Sequence, residues 1–440
     1  MFKTIANAWR IEDIRKKLLY TALILFIFRI GAAIPVPFVN AAEGIISNTD
    51  TSSFISYLIM MTGDAFNYGT IFAMSITPYI NASIILQLLQ VVIPALERLA
   101  QEGEEGRKKI SAITRYTAVG LGLLQSIAYY VYLRSGGFLT TDDAGKKFAG
   151  FPAVLQALVI IGILTAGSAL VMWLGEQINE KGIGNGISLI LFTGIISRIP
   201  TLVTTLFQYF NRGGVFYGLA PLAAVIMILM VAFIVWMDNA EHRIPVQYAK
   251  RVVGRKMYGG QSSHIPLKVN MSGVLPVIFA SSILSIPPTI QLFVKAENKF
   301  WTTILGWFNQ TSPLYVVIYF FMIIFFAYFY SQIQYNPIEM ANNLRKNSGA
   351  IPGIRPGEPT AAYIAKIMSK ITLLGALLLS VVALFPIIFT QLTTLIFGEG
   401  RTMNISLGGT SVIILVGVAL ETVQQLESQM MMRHYKGFLD

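Results

Sequence analysis

The chain has 440 residues, of which 54% are hydrophobic and only 12% are charged, and it contains no cysteine. Soluble globular chains carry roughly 25% charged residues, so the charges here are too few to cover a water-soluble protein of this length. The absence of cysteine excludes disulfides and thiolate metal ligands. A mean hydropathy of +0.62 and a formal net charge of +11 instead indicate a membrane protein, whose charges lie between apolar runs.

Ten apolar runs follow one another along the chain, and each reaches the ~20 residues that cross a hydrocarbon core as a helix. Backbone polar groups in lipid must be satisfied internally, and these runs are too uniformly apolar for barrel strands. The sequence therefore predicts an all-α integral membrane protein. The predicted spans are residues 18–37, 70–93, 112–133, 151–175, 183–205, 215–238, 270–290, 314–335, 371–392 and 410–430.

Lys and Arg residues are distributed unequally between the two sides that ten spans define. Of the 33, 24 fall on the side of the two termini, eight fall on the other side, and Arg29 lies inside the first span. Cytoplasmic loops of membrane proteins carry the excess of Lys and Arg. The distribution therefore predicts a multi-pass membrane protein with both termini in the cytosol.

The ten spans divide into an N-terminal half, residues 1–210, and a C-terminal half, residues 211–440. Because five is odd, the second half crosses in the opposite sense, so a shared fold would make the halves an inverted repeat. The second half also contains two large basic loops, residues 239–269 and 336–370. Their charges either follow the positive-inside rule or form a docking surface for RNA phosphates or an acidic protein face.

Two short segments interrupt the pattern of spans. The apolar stretch Ser53–Thr62 is too short to cross a membrane. It predicts either an amphipathic helix on the outer surface or a stopper folded back into a pore, hinged at Gly63 and Gly69. The glycine-rich run Lys181–Ser188 resembles a phosphate cradle, but no strand precedes it and no Lys-Ser/Thr pair follows, which favours a tight turn between spans.

Polar and ionisable residues inside the spans are few. Pro78 predicts a kink in span two, and the amide of Asn81 in the same span has a candidate partner in Gln125 of span three. Arg29 lies in span one and Glu421 lies near the inner end of span ten, whereas ion-coupled transporters place carboxylates or histidines at depth. The sequence offers no metal-ligand cluster and no nucleophile with a base, so it argues against an enzyme.

Eight runs, in order over nearly the whole chain, resemble the bacterial SecY family. They are Thr77-Pro-Tyr-Ile-Asn-Ala-Ser83, Glu102-Gly-Glu-Glu-Gly-Arg-Lys-Lys-Ile110, Trp173-Leu-Gly-Glu-Gln-Ile178, Lys181-Gly-Ile-Gly-Asn-Gly-Ile-Ser188, Pro266-Leu-Lys-Val-Asn270, Ile278-Phe-Ala-Ser-Ser282, Asn336-Pro337 and Pro352-Gly-Ile-Arg-Pro-Gly357. The resemblance implies two inverted five-helix halves around an hourglass pore. It implies a channel subunit that passes unfolded preproteins across the membrane and releases transmembrane segments sideways into lipid.

The resemblance further implies SecE, SecG, the SecA ATPase and the ribosome as partners, with signal sequences and nascent polypeptides as substrates. It implies that the channel itself hydrolyses nothing and needs no cofactor. A secondary transporter for a small solute remains the alternative, because inverted repeats and kinked helices suit both kinds of protein.

The resemblance also assigns roles to individual side chains. The pore ring comprises Ile76, Ile80, Leu191, Ile278 and Ile414, with Ile413 as a rival for the last position. The lateral gate contains Asn81, Gln125 and Ser282. The plug, about residues 53–68, includes Phe54, Ile55, Leu58, Ile59 and Met60. Docking of SecA and the ribosome involves Lys250, Arg251, Arg255, Lys256 and Arg355.

Overall fold

The structure of the chain is a computed structural model that describes residues 2–40, 62–140, 150–248, 251–253, 256–258, 262–287, 306–308, 312–397 and 408–436. The helices are α1 (Phe2–Arg10), α2 (Glu12–Gly31), α3 (Thr77–Val92), α4 (Pro94–Gln101), α5 (Glu104–Gly136), α6 (Phe151–Lys181), α7 (Gly186–Ile196), α8 (Ile199–Asn211), α9 (Phe216–Asn239), α10 (Leu275–Leu284), α11 (Pro313–Gln334), α12 (Pro337–Lys346), α13 (Glu358–Phe397) and α14 (Gly409–Lys436). The strands are β1 (Glu241–Tyr248), β2 (Arg251–Val253), β3 (Lys256–Tyr258), β4 (Ser262–Lys268) and β5 (Gly349–Ala350).

Each of the ten predicted apolar runs contains a helix. Among the described residues, six helical segments are long and apolar enough to cross a membrane, and α3 with α4 would make a seventh if that bent pair is one span. The most apolar stretch of α9 has a mean hydropathy of 2.7, yet only 28% of it is buried within the protein. Such a surface is stable in lipid and not in water, as expected for a multi-pass membrane protein.

The described residues form two compact units. The first comprises Met1–Asn211, Ser285–Thr311 and Val418–Asp440, and the second comprises Arg212–Leu284 and Ser312–Gly417. Helix α14 therefore contributes its beginning to the second unit and its remainder to the first.

In the first unit, small side chains let three helices approach closely. Helix α5 packs against both α3 and α6. A Cβ atom added at Gly122 of α5 would lie 2.9 Å from Oγ of Ser168 on α6 and 3.7 Å from Cβ of Pro78 on α3. Lipid tails are as apolar as the helices, so packing of small residues is what holds such helices together.

Helix α3 does not have the predicted kink at Pro78. Ile76 is the N-cap of α3, and Pro78 lies in its first turn. The backbone N–H groups of a first turn have no partner within the helix, so proline begins the helix there without breaking a hydrogen bond. The bend lies at the other end, where α3 and α4 meet at 101° next to Pro94.

The second unit joins its two long loops in a three-stranded sheet with the order β4-β1-β5. Strand β1 pairs antiparallel with β4, with Ile244 opposite Ile265, and its end pairs with β5 through Gln247 and Ala350. Strands β2 and β3 form a separate antiparallel pair. The sequence predicts these segments only as basic loops.

One face of the sheet is buried against helices of the same unit. Ile244 and Val246 of β1 and Leu267 of β4 form a core with residues of α12 and α13, including Leu344 and Ile364. Helix α13 continues from this core and packs against α11, while α10 packs against α11. The sheet is therefore built onto the same helices that carry the membrane-spanning part of the unit.

Candidate functional site

Three predicted ring residues are buried in the first unit. Ile76 and Ile80 are 1% and 9% exposed, and they lie four residues apart on one face at the start of α3. Leu191 of α7 is 2% exposed. The tip of Ile76 lies next to α6, since a Cβ added at Gly175 would be 3.5 Å from its Cδ1 atom.

The other two predicted ring residues are buried in the second unit. Ile278 of α10 is 8% exposed and Ile414 of α14 is 1% exposed. The rival candidate Ile413 is fully buried as well, so burial does not decide between the two positions. The predicted ring thus consists of five buried aliphatic side chains, four of which are β-branched and therefore stiff at χ1.

The last part of the predicted plug, from residue 62 onward, belongs to the core of the first unit. Phe66 is buried in a cluster with Tyr129 and Leu164, and the Tyr129 hydroxyl donates a hydrogen bond to the Phe66 carbonyl. Asp64 forms an ion pair with Arg198, whose Nε lies 3.3 Å from Oδ1 of Asp64 without the geometry of a hydrogen bond. The sequence gives no sign of this ion pair, because its partners are 134 positions apart.

The predicted hinges at Gly63 and Gly69 are instead positions of close packing. Both glycines have positive φ angles, +62° and +58°. A Cβ at Gly63 would lie 2.4 Å from the carbonyl oxygen of Gly194, and a Cβ at Gly69 would lie 2.7 Å from Val39. Glycine is required there because only a residue without a side chain fits this backbone conformation and contact. The plug residues Phe54, Ile55, Leu58, Ile59 and Met60 lie outside the described residues.

The predicted gate residues occupy the expected helices but do not form the predicted pair. Asn81 of α3 and Gln125 of α5 are both partly exposed, and no hydrogen bond joins them among those of the described residues. Ser282 of α10 is 6% exposed. Helices α3 and α5 are held together through the small residue Gly122 rather than through paired amides.

The glycine-rich run between α6 and α7 is a turn, and the N–H groups of Gly182, Ile183 and Gly186 all have acceptors within the protein. The N–H of Gly182 donates to the Ile178 carbonyl, and that of Ile183 donates to Oγ1 of Thr21 on α2. Further along, Oδ1 of Asn179 accepts from Gly186, and the side chain of Asn185 caps α7. An anion cradle needs several free N–H groups, so these hydrogen bonds support the predicted turn over a cradle.

This turn also packs against the first two helices of the chain and against its last helix. Ile183 is buried with Ala8 of α1, Ile14 of α2 and Leu426 of α14. The hydroxyl of Thr4 donates to the carboxylate of Glu427 at 3.0 Å. The most distinctive motif of the sequence therefore has an architectural role, since it joins both ends of the chain to the turn.

The predicted docking residues lie on the loops of the second unit. Arg251 and Lys256 belong to the short strands β2 and β3, while Lys250 and Arg255 lie outside the described residues. Arg355 is exposed in the turn before α13, and its carbonyl accepts a hydrogen bond from the Thr360 hydroxyl at 2.8 Å. Gly353 and Gly357, with φ angles of +82° and +105°, shape the turn that presents Arg355.

Solved structures with the same arrangement of helices define the class of protein. One, described as the structure of a protein conducting channel, aligns with 94% of this chain and 92% of its own, with a TM-score of 0.62 and 18% identity. Sec61 in the canine ribosome-channel complex from the endoplasmic reticulum aligns over the same shares, with a TM-score of 0.59 and 17% identity. The chain is therefore a polytopic membrane protein with the fold of the protein-conducting channels.

Sequence comparisons identify the family within this class. The family model for SecY matches residues 70–423. The protein translocase subunit SecY of Mycobacterium bovis is 42% identical over the full length of both chains, and that of Streptomyces galbus is 42% identical over the same shares. The chain belongs to the SecY family.

Proposed function

We propose that this chain is the pore-forming subunit of a Sec translocase in the cytoplasmic membrane. It passes unfolded preproteins across the membrane and releases transmembrane segments laterally into lipid. The observation that carries the proposal is the 42% identity, over the whole of both chains, with relatives named protein translocase subunit SecY. Both termini and the two long basic loops face the cytosol, as the bias of Lys and Arg predicts.

In this proposal, the seal of the pore is a ring of aliphatic side chains. Ile76, Ile80, Leu191, Ile278 and Ile414 are its members. Side chains of this kind cannot hydrogen-bond water, so a narrow ring dewets and resists ions when it is empty. A translocating polypeptide fills the same ring without binding tightly. The burial of all five side chains supports the proposal.

A signal sequence would open the channel through the free energy of apolar burial. A short apolar helix gains roughly 25 cal/mol for each Å² of apolar surface that leaves water. The proposed gate carries only neutral polar groups, Asn81, Gln125 and Ser282. Because Asn81 and Gln125 do not bind each other, opening the gate breaks no hydrogen bond between them.

The energy for transport would come from partners, because the proposed subunit is not an enzyme. SecE and SecG would associate with it in the membrane, and the SecA ATPase and the ribosome would dock on the loops of the second unit. Lys250, Arg251, Arg255, Lys256 and Arg355 would supply the basic contacts. The sheet that joins these loops and the turn that presents Arg355 support a docking role.

Reconstitution tests the function directly. The chain would be inserted into proteoliposomes with SecE, and SecA, ATP and a preprotein with a signal sequence would be added outside. We expect ATP-dependent protection of the preprotein from added protease, with none when SecA is omitted. Uptake of a small solute without preprotein protection would support a secondary transporter and reject the proposal.

A charge reversal tests the docking surface. Arg355→Glu is expected to reduce SecA-dependent secretion by at least about tenfold, since it removes a charge-assisted contact and adds repulsion. Ribosome-dependent insertion of a membrane protein should decline less. Arg345→Glu is the matched control, because Arg345 is also an exposed arginine of the same loop. An equal loss in both pathways, or in both variants, would contradict a specific role for Arg355.

A further inference from the structure

The turn between β4 and α10 is enclosed by four elements of the second unit. Its residues, 269–274, connect the sheet to the helix that carries Ile278 and Ser282. The hydroxyl of Ser272 donates to the Ala327 carbonyl of α11 at 3.2 Å, in a buried position. The backbone N–H of Val269 donates to the carbonyl of Ala240, just after α9. The turn is therefore hydrogen-bonded both to helix α11 and to the residue that follows helix α9.

Two glycines bring further helices against this turn. A Cβ added at Gly375 of α13 would lie 2.4 Å from the Val269 carbonyl oxygen. A Cβ added at Gly417 of α14 would lie 2.6 Å from Cγ2 of Val274. Helix α13 could not approach so closely with a larger residue at position 375, because that contact is with backbone, which cannot rotate away.

One polar pair lies at the centre of this arrangement. Nδ2 of Asn270 donates to Oδ1 of Asp238 at 2.8 Å, and Asn270 is 8% exposed. Asp238 occupies the last turn of α9, where the helix dipole disfavours a negative charge. The Asn270 amide and the nearby positive charge of Lys268 offset the cost of burying this carboxylate only in part. Because this end of a helix is an unfavourable place for a carboxylate, the hydrogen bond between Asp238 and Asn270 is the feature of this carboxylate that calls for an explanation.

We infer that Asp238 and Asn270 are positioning residues that fix the base of α10, so that this helix pivots about its first turn when the channel opens. The inference rests on the proposed function, because it concerns how the channel discriminates between signal sequences.

Distances along the helix show why the base matters. Ile278 lies three residues after Leu275, which is about 4.5 Å along the axis, while the whole helix of ten residues is about 15 Å long. A pivot of 10° about a fixed base therefore moves Ile278 by about 0.8 Å and the far end by about 2.6 Å. A base that slides would move Ile278 by the full amount of the slide and open the seal without a signal sequence.

Four variants test the pair. They are Asp238→Ala, Asn270→Ala, the double alanine variant, and the exchange Asp238→Asn with Asn270→Asp, which restores an acid and an amide in contact. Each would be reconstituted with SecE and SecA. The measured quantity is the ratio of translocation of a preprotein with a defective signal sequence to translocation of the same preprotein with an intact one.

Either alanine variant is expected to raise this ratio by about tenfold, the order expected for losing one hydrogen bond to a charged group. The double variant should raise it no further, because both changes remove the same contact. The exchange should restore the parental ratio. Ser331→Ala is the matched control, since it removes a buried 2.9 Å hydrogen bond to Thr372, between α11 and α13 of the same unit, and leaves the Asp238–Asn270 pair intact; it should leave the ratio unchanged.

Three results would overturn the inference: an unchanged ratio in the alanine variants, the same rise in Ser331→Ala, or an exchange variant that behaves like the single variants. If the alanine variants fail to fold, the exchange variant alone decides, through its parental or altered ratio. Failure of the parent chain to translocate the intact preprotein would instead reject the proposed function, so the two failures are distinguishable.

Discussion

The turn between α6 and α7 gives a prediction whose magnitude follows from two hydrogen bonds. Thr21 is 7% exposed, and its hydroxyl accepts the N–H of Ile183, which is 2% exposed. Thr21→Val keeps the shape of the side chain but leaves this N–H buried without an acceptor, at a cost of about 1–3 kcal/mol. Asn179 accepts the N–H of Gly186 at 2.7 Å, but Asn179 is exposed, so in Asn179→Ala water replaces much of the lost bond.

Amide hydrogen exchange measures this difference residue by residue. A loss of 1–3 kcal/mol in the local opening free energy corresponds to about 5- to 150-fold faster exchange at Ile183. Asn179→Ala should accelerate exchange at Gly186 by less. Thr21→Ser is the control that keeps the hydroxyl, and it should retain most of the protection.

The same assay separates a turn from an anion cradle. Inorganic phosphate should not change exchange at Gly182, Ile183 or Gly186 in the parent chain, because these N–H groups already have acceptors. Unchanged exchange in Thr21→Val, or protection of the parent by phosphate, would refute the reasoning.

Three further changes test separate parts of the structure. Asn336→Ala removes the side-chain cap of α12 and should lower the stability of this helix by about 1 kcal/mol, which faster amide exchange in its first turn would reveal. Asn336→Asp keeps a capping oxygen and should leave the exchange unchanged. Gly375→Ala places a Cβ against the Val269 carbonyl oxygen, so it should lower the thermal midpoint of the solubilised protein; an unchanged midpoint would contradict the close approach. Ile278→Asn introduces an amide into the proposed ring and should raise the ion conductance of resting channels in planar bilayers, while Ile338→Asn, at a position already 65% exposed, should not.

The sequence predicts the helices of this protein well because apolar length is a local signal. Each of the ten predicted runs contains a helix, and the turn at Lys181–Ser188 is confirmed. The start of α3 is not predicted correctly. Residues 70–76 are as apolar as the helix that follows them, so the sequence places Pro78 inside a longer span rather than in the first turn of a helix. The strands were missed because β1 and β4 contain Pro245 and Pro266, residues that normally argue against a strand.

The contacts of the candidate site are harder to predict because they join distant positions. Gly122 meets Ser168 and Pro78, and Asp238 meets Asn270, yet nothing near each residue in the sequence indicates its partner. For Asn81 and Gln125 the error is the reverse: the sequence predicts a contact that is not found among the described residues. Two amides on neighbouring helices were predicted to bind, whereas small residues determine how α3 and α5 approach.

Disulfide cross-linking tests the central claim, that a translocating polypeptide passes the aliphatic ring. The chain contains no cysteine, so one introduced at Ile278 would be the only thiol in the subunit. A preprotein with a single cysteine would be stalled during SecA-driven transport and oxidised. We predict a cross-link to Ile278→Cys that requires ATP, and none to Leu229→Cys on α9, a position 61% exposed on the apolar surface of its helix. Cross-linking at Leu229→Cys, or its absence at Ile278→Cys while transport proceeds, would contradict the account.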